Sequence, residues 1–262
     1  MTSPSSDRDV LQTLSRRHDL LSCLENGSRY KRDLVAELSV SRSTIDRGIR
    51  ELESVEFVER CSGAFRLTAA GRLALSEYRR RLESLGAITD CSEILTDIPP
   101  EAPMSVDLLV GASVTQPKPH APNEPIGAVV DLLEEADRFR GFATAQRLPR
   151  LRDRLYELTT AGQLDAEAIF TEELAAFLLE NHAQQMRDVL CDGHFDMYSI
   201  STLPYGLGIV ETPSCSRAFV VVHGDSGAVR GVIQNDTQAA LEWADDVFRR
   251  YRTRSSRLEP PE

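Results

Sequence analysis

Hydroxyl and guanidinium side chains are concentrated in one short stretch near the N-terminus. Its members follow one another at intervals that a helix would bring to one face: Ser41, Arg42, Ser43, Thr44, Arg47 and Arg50. Short hydroxyls bind phosphate oxygens or base edges, and arginine binds guanine through two parallel hydrogen bonds. This set of side chains is therefore suited to contact with duplex DNA. The alternative is an arginine-bearing helix face that is merely solvated.

The surrounding sequence predicts a helix-turn-helix. Apolar residues recur at helical spacing over residues 9–25, which end at Asn26-Gly27, and over a second short helix at residues 31–38. Ser39-Val40-Ser41 then forms a turn, and Ser41 can serve as the N-cap of a third helix with an apolar face of Ile45, Ile49 and Leu52. Because the arginines lie opposite that face, the third helix has the layout of a recognition helix.

A hairpin and a long helix are expected next. Residues 57–61 and 64–67 have the composition of strands joined at Ser62-Gly63, and Arg60 and Arg66 on them are placed to reach the DNA backbone. Thr68 caps a helix whose apolar residues recur at intervals of three and four: Leu75, Tyr78, Leu82 and Leu85. This stripe predicts a homodimer contact. Packing of the stripe on its own domain is the alternative.

The charge distribution favours an anionic partner for the N-terminal third. Residues 1–85 hold 15 basic and 13 acidic side chains, whereas residues 86–262 hold 15 basic and 28 acidic ones. A basic segment in a chain of net charge −11 is typical of contact with nucleic acid. Lys31 and Lys118 are the only lysines, and so acidic and arginine-rich a composition predicts a halophilic protein. An acidic protein from a high-GC mesophile is the alternative.

The run from Asp33 to Glu53, followed by the hairpin and by Leu67-Thr-Ala-Ala-Gly71, resembles archaeal winged helix-turn-helix transcription regulators of the broad MarR and ArsR kind. The resemblance covers the N-terminal third and implies an α+β, DNA-binding fold. Those regulators often carry glycine in the turn, where this chain has Ser39. A left-handed serine at that position costs on the order of 1 kcal/mol.

The remaining two-thirds predicts a mixed α/β domain behind a Pro-rich linker. Because three prolines within residues 99–103 cannot continue a helix, we divide the chain into a DNA-binding domain (1–86), a helix end and linker (87–103) and an effector domain (104–262). Strands and helices alternate at first, and strands then follow closely. The predicted strands are 106–112, 139–143, 166–170, 195–200, 207–211, 217–222 and 229–234, and the predicted helices are 126–136, 149–161, 171–190 and 237–251.

Residues 102–252 carry a second resemblance. Its motifs are Ile169-Phe-Thr-Glu-Glu-Leu174, Leu203-Pro-Tyr-Gly-Leu-Gly-Ile209 and Gly231-Val-Ile-Gln-Asn-Asp236, followed by Ala240, Trp243 and Tyr251. The segment resembles the C-terminal effector domain of archaeal regulators first associated with a methanogenesis regulator. The resemblance implies a domain that senses a small molecule or contacts a partner.

The C-terminal ends of the predicted parallel strands are the expected effector site, because loops and helix N-termini offer unpaired donors there. Those ends present Thr144, Thr171 and Ser201, with Tyr205 on the adjoining loop. The set predicts a site for a small polar or anionic metabolite. The alternative is that Thr171 caps its helix and the other three are loop surface.

Motifs that suggest catalysis have simpler explanations. Gly224-Asp-Ser-Gly227, a local signature of serine proteases, joins two predicted strands and is typical of a hairpin turn. Cys191-Asp-Gly-His-Phe-Asp196 matches no standard metal spacing, and Gly206-x-Gly208 lacks the third glycine of a dinucleotide fingerprint. Phospholipase D chemistry needs His-x-Lys, and no histidine here has lysine two positions on. We therefore predict no catalytic residue, no metal and no cofactor.

Five cysteines, odd in number and without a C-x-x-C pair, argue against a disulfide scaffold or structural zinc: Cys23, Cys61, Cys91, Cys191 and Cys215. Cys23 and Cys61 are inert thiols or redox sensors. Apolar runs are too short to cross a bilayer, and no signal pattern begins the sequence. The sequence thus predicts a cytoplasmic regulator that binds double-stranded DNA as a homodimer, responds to a small-molecule effector and binds no membrane. The alternative is a ligand-binding or enzymatic protein whose helix-turn-helix serves protein contact only.

Overall fold

The computed structural model describes residues 6–121, 124–144, 149–224 and 227–259, and the chain divides into two compact units, residues 1–85 and 86–262. The first unit begins with three helices, continues with a two-stranded antiparallel hairpin and ends in a long helix. Its elements are α1 (Asp7–Cys23), α2 (Lys31–Leu38), α3 (Arg42–Ser54), β1 (Val58–Cys61), β2 (Ala64–Leu67) and α4 (Ala69–Asp90). The order and approximate bounds are those expected from the apolar periodicity.

The first unit is built around one apolar cluster in which α1, α2 and α3 meet the hairpin and α4. Leu21, Leu34, Leu52, Phe65 and Leu75 belong to this cluster and are at most 2% exposed. At the crossing of α1 and α3, Gly48 lies against Leu20 so closely that a Cβ atom would displace that side chain. Burial of one face of α3 leaves its opposite face outward.

The second unit is a mixed eight-stranded sheet in the order β10-β6-β5-β4-β7-β8-β9-β3. Strands β4, β5 and β6 run parallel, and the other neighbouring pairs are antiparallel. The strands are β3 (Ser113–Thr115), β4 (Arg138–Ala143), β5 (Asp165–Thr171), β6 (Phe195–Ile200), β7 (Gly206–Glu211), β8 (Ser216–His223), β9 (Val229–Asn235) and β10 (Ser256–Arg257). The helices are α5 (Ser92–Leu95), α6 (Val106–Leu109), α7 (Glu124–Leu133), α8 (Pro149–Thr160), α9 (Glu172–Asn181), α10 (Ala183–Asp192) and α11 (Gln238–Arg252).

Helices cover both faces of this sheet, as its apolar strands require. Side chains from α5, α6 and α11 pack on one face, and those of α7, α8, α9 and α10 pack on the other. Successive residues of β4 divide between them, because Phe139 belongs to the second cluster and Phe142 to the first. The predicted mixed α/β class is therefore confirmed for this unit. Within the described ranges, we find no helix with both the length and the apolar character needed to cross a membrane.

Two secondary-structure predictions in this unit were wrong. The expected strand 106–112 is instead α6, followed by β3 from Ser113. Leu108 and Leu109 are both buried, which a helical turn allows and an alternating strand does not, and the Asn235 amide donates to the carbonyl oxygens of Leu108 and Val110 at 2.8 and 2.7 Å. The expected helix 171–190 is two helices, α9 and α10, which meet at His182.

The linker prediction for residues 87–103 is also corrected. The segment contains α5, and Cys91, Ile94 and Ile98 are buried in the cluster beneath α11. Proline ends a helix, but it does not prevent the segment around it from packing against a core. Residues 87–103 are therefore a structural part of the second unit.

Candidate nucleic-acid interface and ligand cavity

The turn between α2 and α3 sets the position of α3. Ser39 ends α2 in the left-handed conformation, with φ at 53°. The Ser41 hydroxyl accepts a hydrogen bond from the Thr44 amide at 3.2 Å and lies 2.8 Å from the hydroxyls of both Ser43 and Thr44. Ser41 is thus the N-cap that the sequence predicts, and its hydroxyl fixes the first turn of α3.

The outward face of α3 carries the predicted arginines. Arg42, Arg47 and Arg50 are exposed, and Ser43 and Thr44 line a shallow depression together with Arg47 and Arg50. Arg50 Nε donates to the Asp46 carbonyl oxygen at 3.1 Å. Arg42 and Arg47 form no hydrogen bond or ion pair with any other described residue. Their guanidinium groups are therefore available to an external anion.

The two carboxylates nearest this face are neutralised from behind. Lys31 of α2 lies 2.5 Å from Asp46, and this hydrogen bond holds the pKa of the Asp46 carboxyl below its usual range. Arg17 of α1 donates to both oxygens of Glu51 at 2.8 and 3.0 Å and lowers the pKa of Glu51 in the same way. The positive charge of Arg42 and Arg47 is consequently the uncompensated charge on the face.

The hairpin arginines differ in their surroundings. Arg66 is paired with Glu59 at 2.7 Å across the β1–β2 ladder, so a carboxylate offsets its charge. Arg60 is exposed and its guanidinium lies 5.3 Å from the centre of the Phe65 ring. Arg60 is thus the hairpin cation better suited to contact a phosphate.

The apolar stripe on α4 is divided between two environments. Leu75 is buried in its own unit, and the half-buried Tyr78 ring packs 5.6 Å from the His18 ring. Leu82 and Leu85 are instead 45% and 60% exposed. Each of the two interpretations of the stripe therefore describes one part of it.

The predicted effector edge is formed in part. Ala143 pairs with Phe170 and Thr171 with Ile200, so Thr144, Thr171 and Ser201 follow one another along one edge of the sheet. The Thr171 hydroxyl accepts a hydrogen bond from the Leu174 amide at 3.3 Å, as expected for a helix cap. Ser201 is exposed and Thr144 half-buried.

Tyr205 does not join this edge, which corrects the four-residue site. Its side chain is 1% exposed, stacks 5.7 Å from the Phe142 ring and donates from its hydroxyl to the Pro103 carbonyl oxygen. Burial raises the pKa of Tyr205 above its ordinary value. The tyrosine is a core residue beneath α11, and its hydroxyl already has a partner.

A cavity that sequence reasoning missed lies on the other face of the sheet, beneath α7, α8, α9 and α10. Its volume is about 150 Å³, and apolar side chains dominate its lining. Small residues of three neighbouring strands form its floor: Gly141, Ala143, Ala168 and Gly206. Residues without bulk at alternate positions of neighbouring strands were the signal in the sequence. Gly206-x-Gly208 is part of that pattern and not of a nucleotide fingerprint.

The motifs weighed for metal, protease and redox chemistry have other contacts. His194 pairs with Asp165 at 2.8 Å and Asp196 with Arg257 at 2.5 Å, so neither faces the exposed Cys191 as a joint metal site. In the described part of the chain, no group of three or more His, Cys, Asp or Glu side chains is arranged to hold a metal ion. Asp225 and Ser226 of the protease-like motif lie outside the described residues, between the antiparallel neighbours β8 and β9. Burial raises the pKa of the Cys23 thiol, which lowers its reactivity.

Comparisons with solved structures find three chains of similar overall arrangement. TrmBL2, described as an archaeal chromatin protein, is 15% identical with a TM-score of 0.46, over 97% of this chain and 100% of that one. The phospholipase D family member Nuc from Salmonella typhimurium is 13% identical with a TM-score of 0.41, over 56% of this chain and 99% of that one. NucT from Helicobacter pylori is 9% identical with a TM-score of 0.44, over 56% of this chain and 98% of that one. No curated protein sequence matches the chain.

Two family comparisons match successive parts of the sequence. Residues 5–90 match the HVO_A0261 N-terminal domain. Residues 122–254 match the middle domain of the methanogenesis regulatory protein FilR1. Because the second match spans just over half of the chain, this protein belongs to the family of the FilR1 middle domain.

Proposed function

We propose that the protein is an archaeal transcription regulator that binds double-stranded DNA through its first unit, a winged helix-turn-helix. The observation that carries the proposal is the outward face of α3, where Arg42 and Arg47 are exposed and unpaired while other helices neutralise Asp46 and Glu51. The family to which the chain belongs is named for a regulatory protein, which supports the same assignment.

Each residue of the interface has a distinct role in this proposal. Arg42 and Arg47 bind base edges in the major groove, and Ser43, Thr44 and Arg50 bind phosphates beside them. Ser41 positions these groups as the cap of α3. The β1–β2 hairpin acts as the wing, with Arg60 against the flanking backbone and Arg66 in a weaker role because Glu59 shares its charge.

The direct test is selection of duplex DNA by the full chain from a random pool, at KCl concentrations from low to molar. We expect a recurrent sequence to be enriched and its specific binding to persist at molar salt. A halophilic regulator cannot depend on long-range attraction, because the Debye length falls to about 3 Å at 1 M salt. Failure to enrich any sequence at any salt would contradict the proposal, and complete release at molar salt would contradict its halophilic part.

We also propose that two chains form a homodimer through the exposed part of the α4 stripe, Leu82 and Leu85. A two-fold dimer would place two α3 helices about 34 Å apart, on successive major grooves. Sedimentation of the full chain should therefore give twice the mass of one chain. Leu82→Glu combined with Leu85→Glu should yield monomers, because two buried carboxylates would be unpaired in the contact.

The matched control for the dimer is Leu73→Glu, a change of the same kind at a position of α4 that is 70% exposed and outside the stripe. That variant should remain dimeric. A wild-type monomer that binds an unpaired half-site tightly, or a double variant that remains dimeric, would contradict the proposed contact.

For the second unit we propose a binding role without catalysis, in a protein that acts in the cytoplasm. The support is chemical: the sequence lacks the His-x-Lys of phospholipase D chemistry, and the polar groups of the Thr171 edge are spent on capping or are exposed. The small-molecule effector of the regulator then requires another site in this unit.

A further inference from the structure

We propose that the cavity beneath α7, α8, α9 and α10 binds a small, neutral, mainly apolar molecule that carries one hydrogen-bond donor and is about the size of a phenol. The binding itself rests on the cavity. Its meaning as the effector site of a regulator rests on the function proposed above.

The size of the cavity limits the ligand. Its volume is about 150 Å³. An apolar protein cavity of about 150 Å³ stays free of water and takes up benzene. One six-membered ring, or an aliphatic group of equal bulk, therefore fits the available space.

The lining of the cavity selects against charged and strongly polar molecules. Its walls are apolar side chains such as Leu174, Leu178, Met186 and Met197, each at most 7% exposed. A carboxylate or phosphate transferred into such surroundings loses its hydration without compensation. The polar or anionic metabolite expected from the sequence is therefore not the ligand of this cavity.

Polar groups at the cavity wall define the single polar feature of the ligand. Arg152 donates to Asp153 at 2.7 and 2.9 Å, and the Tyr156 hydroxyl donates to Asp188 at 3.0 Å, so both are already engaged. The Oε1 atom of Gln185 is buried and has no hydrogen-bond partner among the described residues. A buried amide oxygen without a donor is unfavourable. A ligand hydroxyl would supply the missing donor.

Calorimetric titration of the full chain with phenol, toluene and benzoate tests the proposal. We expect saturable binding of one phenol per chain, weaker binding of toluene, and none of benzoate. Gln185→Leu should weaken phenol binding about two- to tenfold and leave toluene binding unchanged, since it removes one hydrogen bond. Ala168→Leu should weaken both at least tenfold by filling the floor. Ser201→Ala, at the exposed edge of the sheet, is the control and should bind phenol as the wild type does.

A second measurement needs no variant. Two of the four methionines, Met186 and Met197, line the cavity, whereas Met104 packs against the cluster on the other face of the sheet. With ¹³C-methyl methionine, phenol should shift the Met186 and Met197 signals and leave that of Met104 in place. Absence of saturable phenol and toluene binding by the wild type, or shifts confined to Met104, would overturn the proposal.

The DNA affinity of the same preparation separates this inference from the proposed function. A chain that binds its selected duplex but takes up neither phenol nor toluene contradicts the cavity proposal alone. A chain that binds phenol at the cavity but enriches no duplex retains the ligand site and contradicts the regulator. A chain in which phenol binds and alters DNA affinity supports both.

Discussion

Arg47→Ala is expected to weaken binding of the selected duplex about five- to 140-fold, and binding of random duplex much less. The guanidinium lies exposed on the outward face of α3 and is free of intramolecular partners among the described residues, so the loss reports the contact with DNA. A bidentate contact with a base contributes about 1–3 kcal/mol of discrimination, and each 1.4 kcal/mol is a factor of ten. Arg42→Ala is expected to behave in the same way. Fluorescence anisotropy at one fixed salt concentration measures both affinities.

Arg250→Ala is the matched control for the arginine variants. Arg250 is exposed on α11 in the second unit, and its removal changes the net charge by the same amount. Its DNA affinity should equal that of the wild type. If Arg47→Ala weakens binding of specific and random duplex equally, Arg47 contacts a phosphate and does not read the sequence.

Ile94→Ala is expected to lower the free energy of unfolding of the second unit by about 2–5 kcal/mol, the usual cost of truncating a buried isoleucine. Ile94 is 2% exposed in the cluster beneath α11, and its side chain reaches the backbone at Gly231. Urea unfolding at constant KCl, followed by fluorescence, measures the loss. Trp243, the single tryptophan, packs against the same cluster and reports on this unit.

Ile88→Ala provides the comparison within the same stretch of chain. Ile88 is 42% exposed, so the same truncation there should change stability by no more than about 0.5 kcal/mol. Equal, small losses for the two variants would restore the interpretation of residues 87–103 as a linker. A large loss for Ile94→Ala alone would establish that this segment is required by the core of the second unit.

Local sequence patterns determined most of the first unit. The helices, the hairpin and the cap at Ser41 depend on contacts between residues close in the chain, namely apolar spacing, capping hydroxyls and a glycine at the turn. The outward position of Arg42 and Arg47 follows once the opposite face of α3 is buried. What the sequence could not supply is the pairing of Asp46 with Lys31 and of Glu51 with Arg17, since these partners come from different helices.

In the second unit, the sequence by itself determined that strands and helices form a mixed sheet, and it indicated the edge where Thr144, Thr171 and Ser201 meet. It did not determine on which face of the sheet each residue lies, because strand register and the helices that cover each face are set by contacts between distant segments. Tyr205 therefore proved to be core, and residues 87–103 proved to be part of that core. The cavity is also a tertiary feature. Small residues at positions 141, 143, 168 and 206 are ordinary in the sequence, and they enclose space only because three neighbouring strands bring them together beneath one layer of helices.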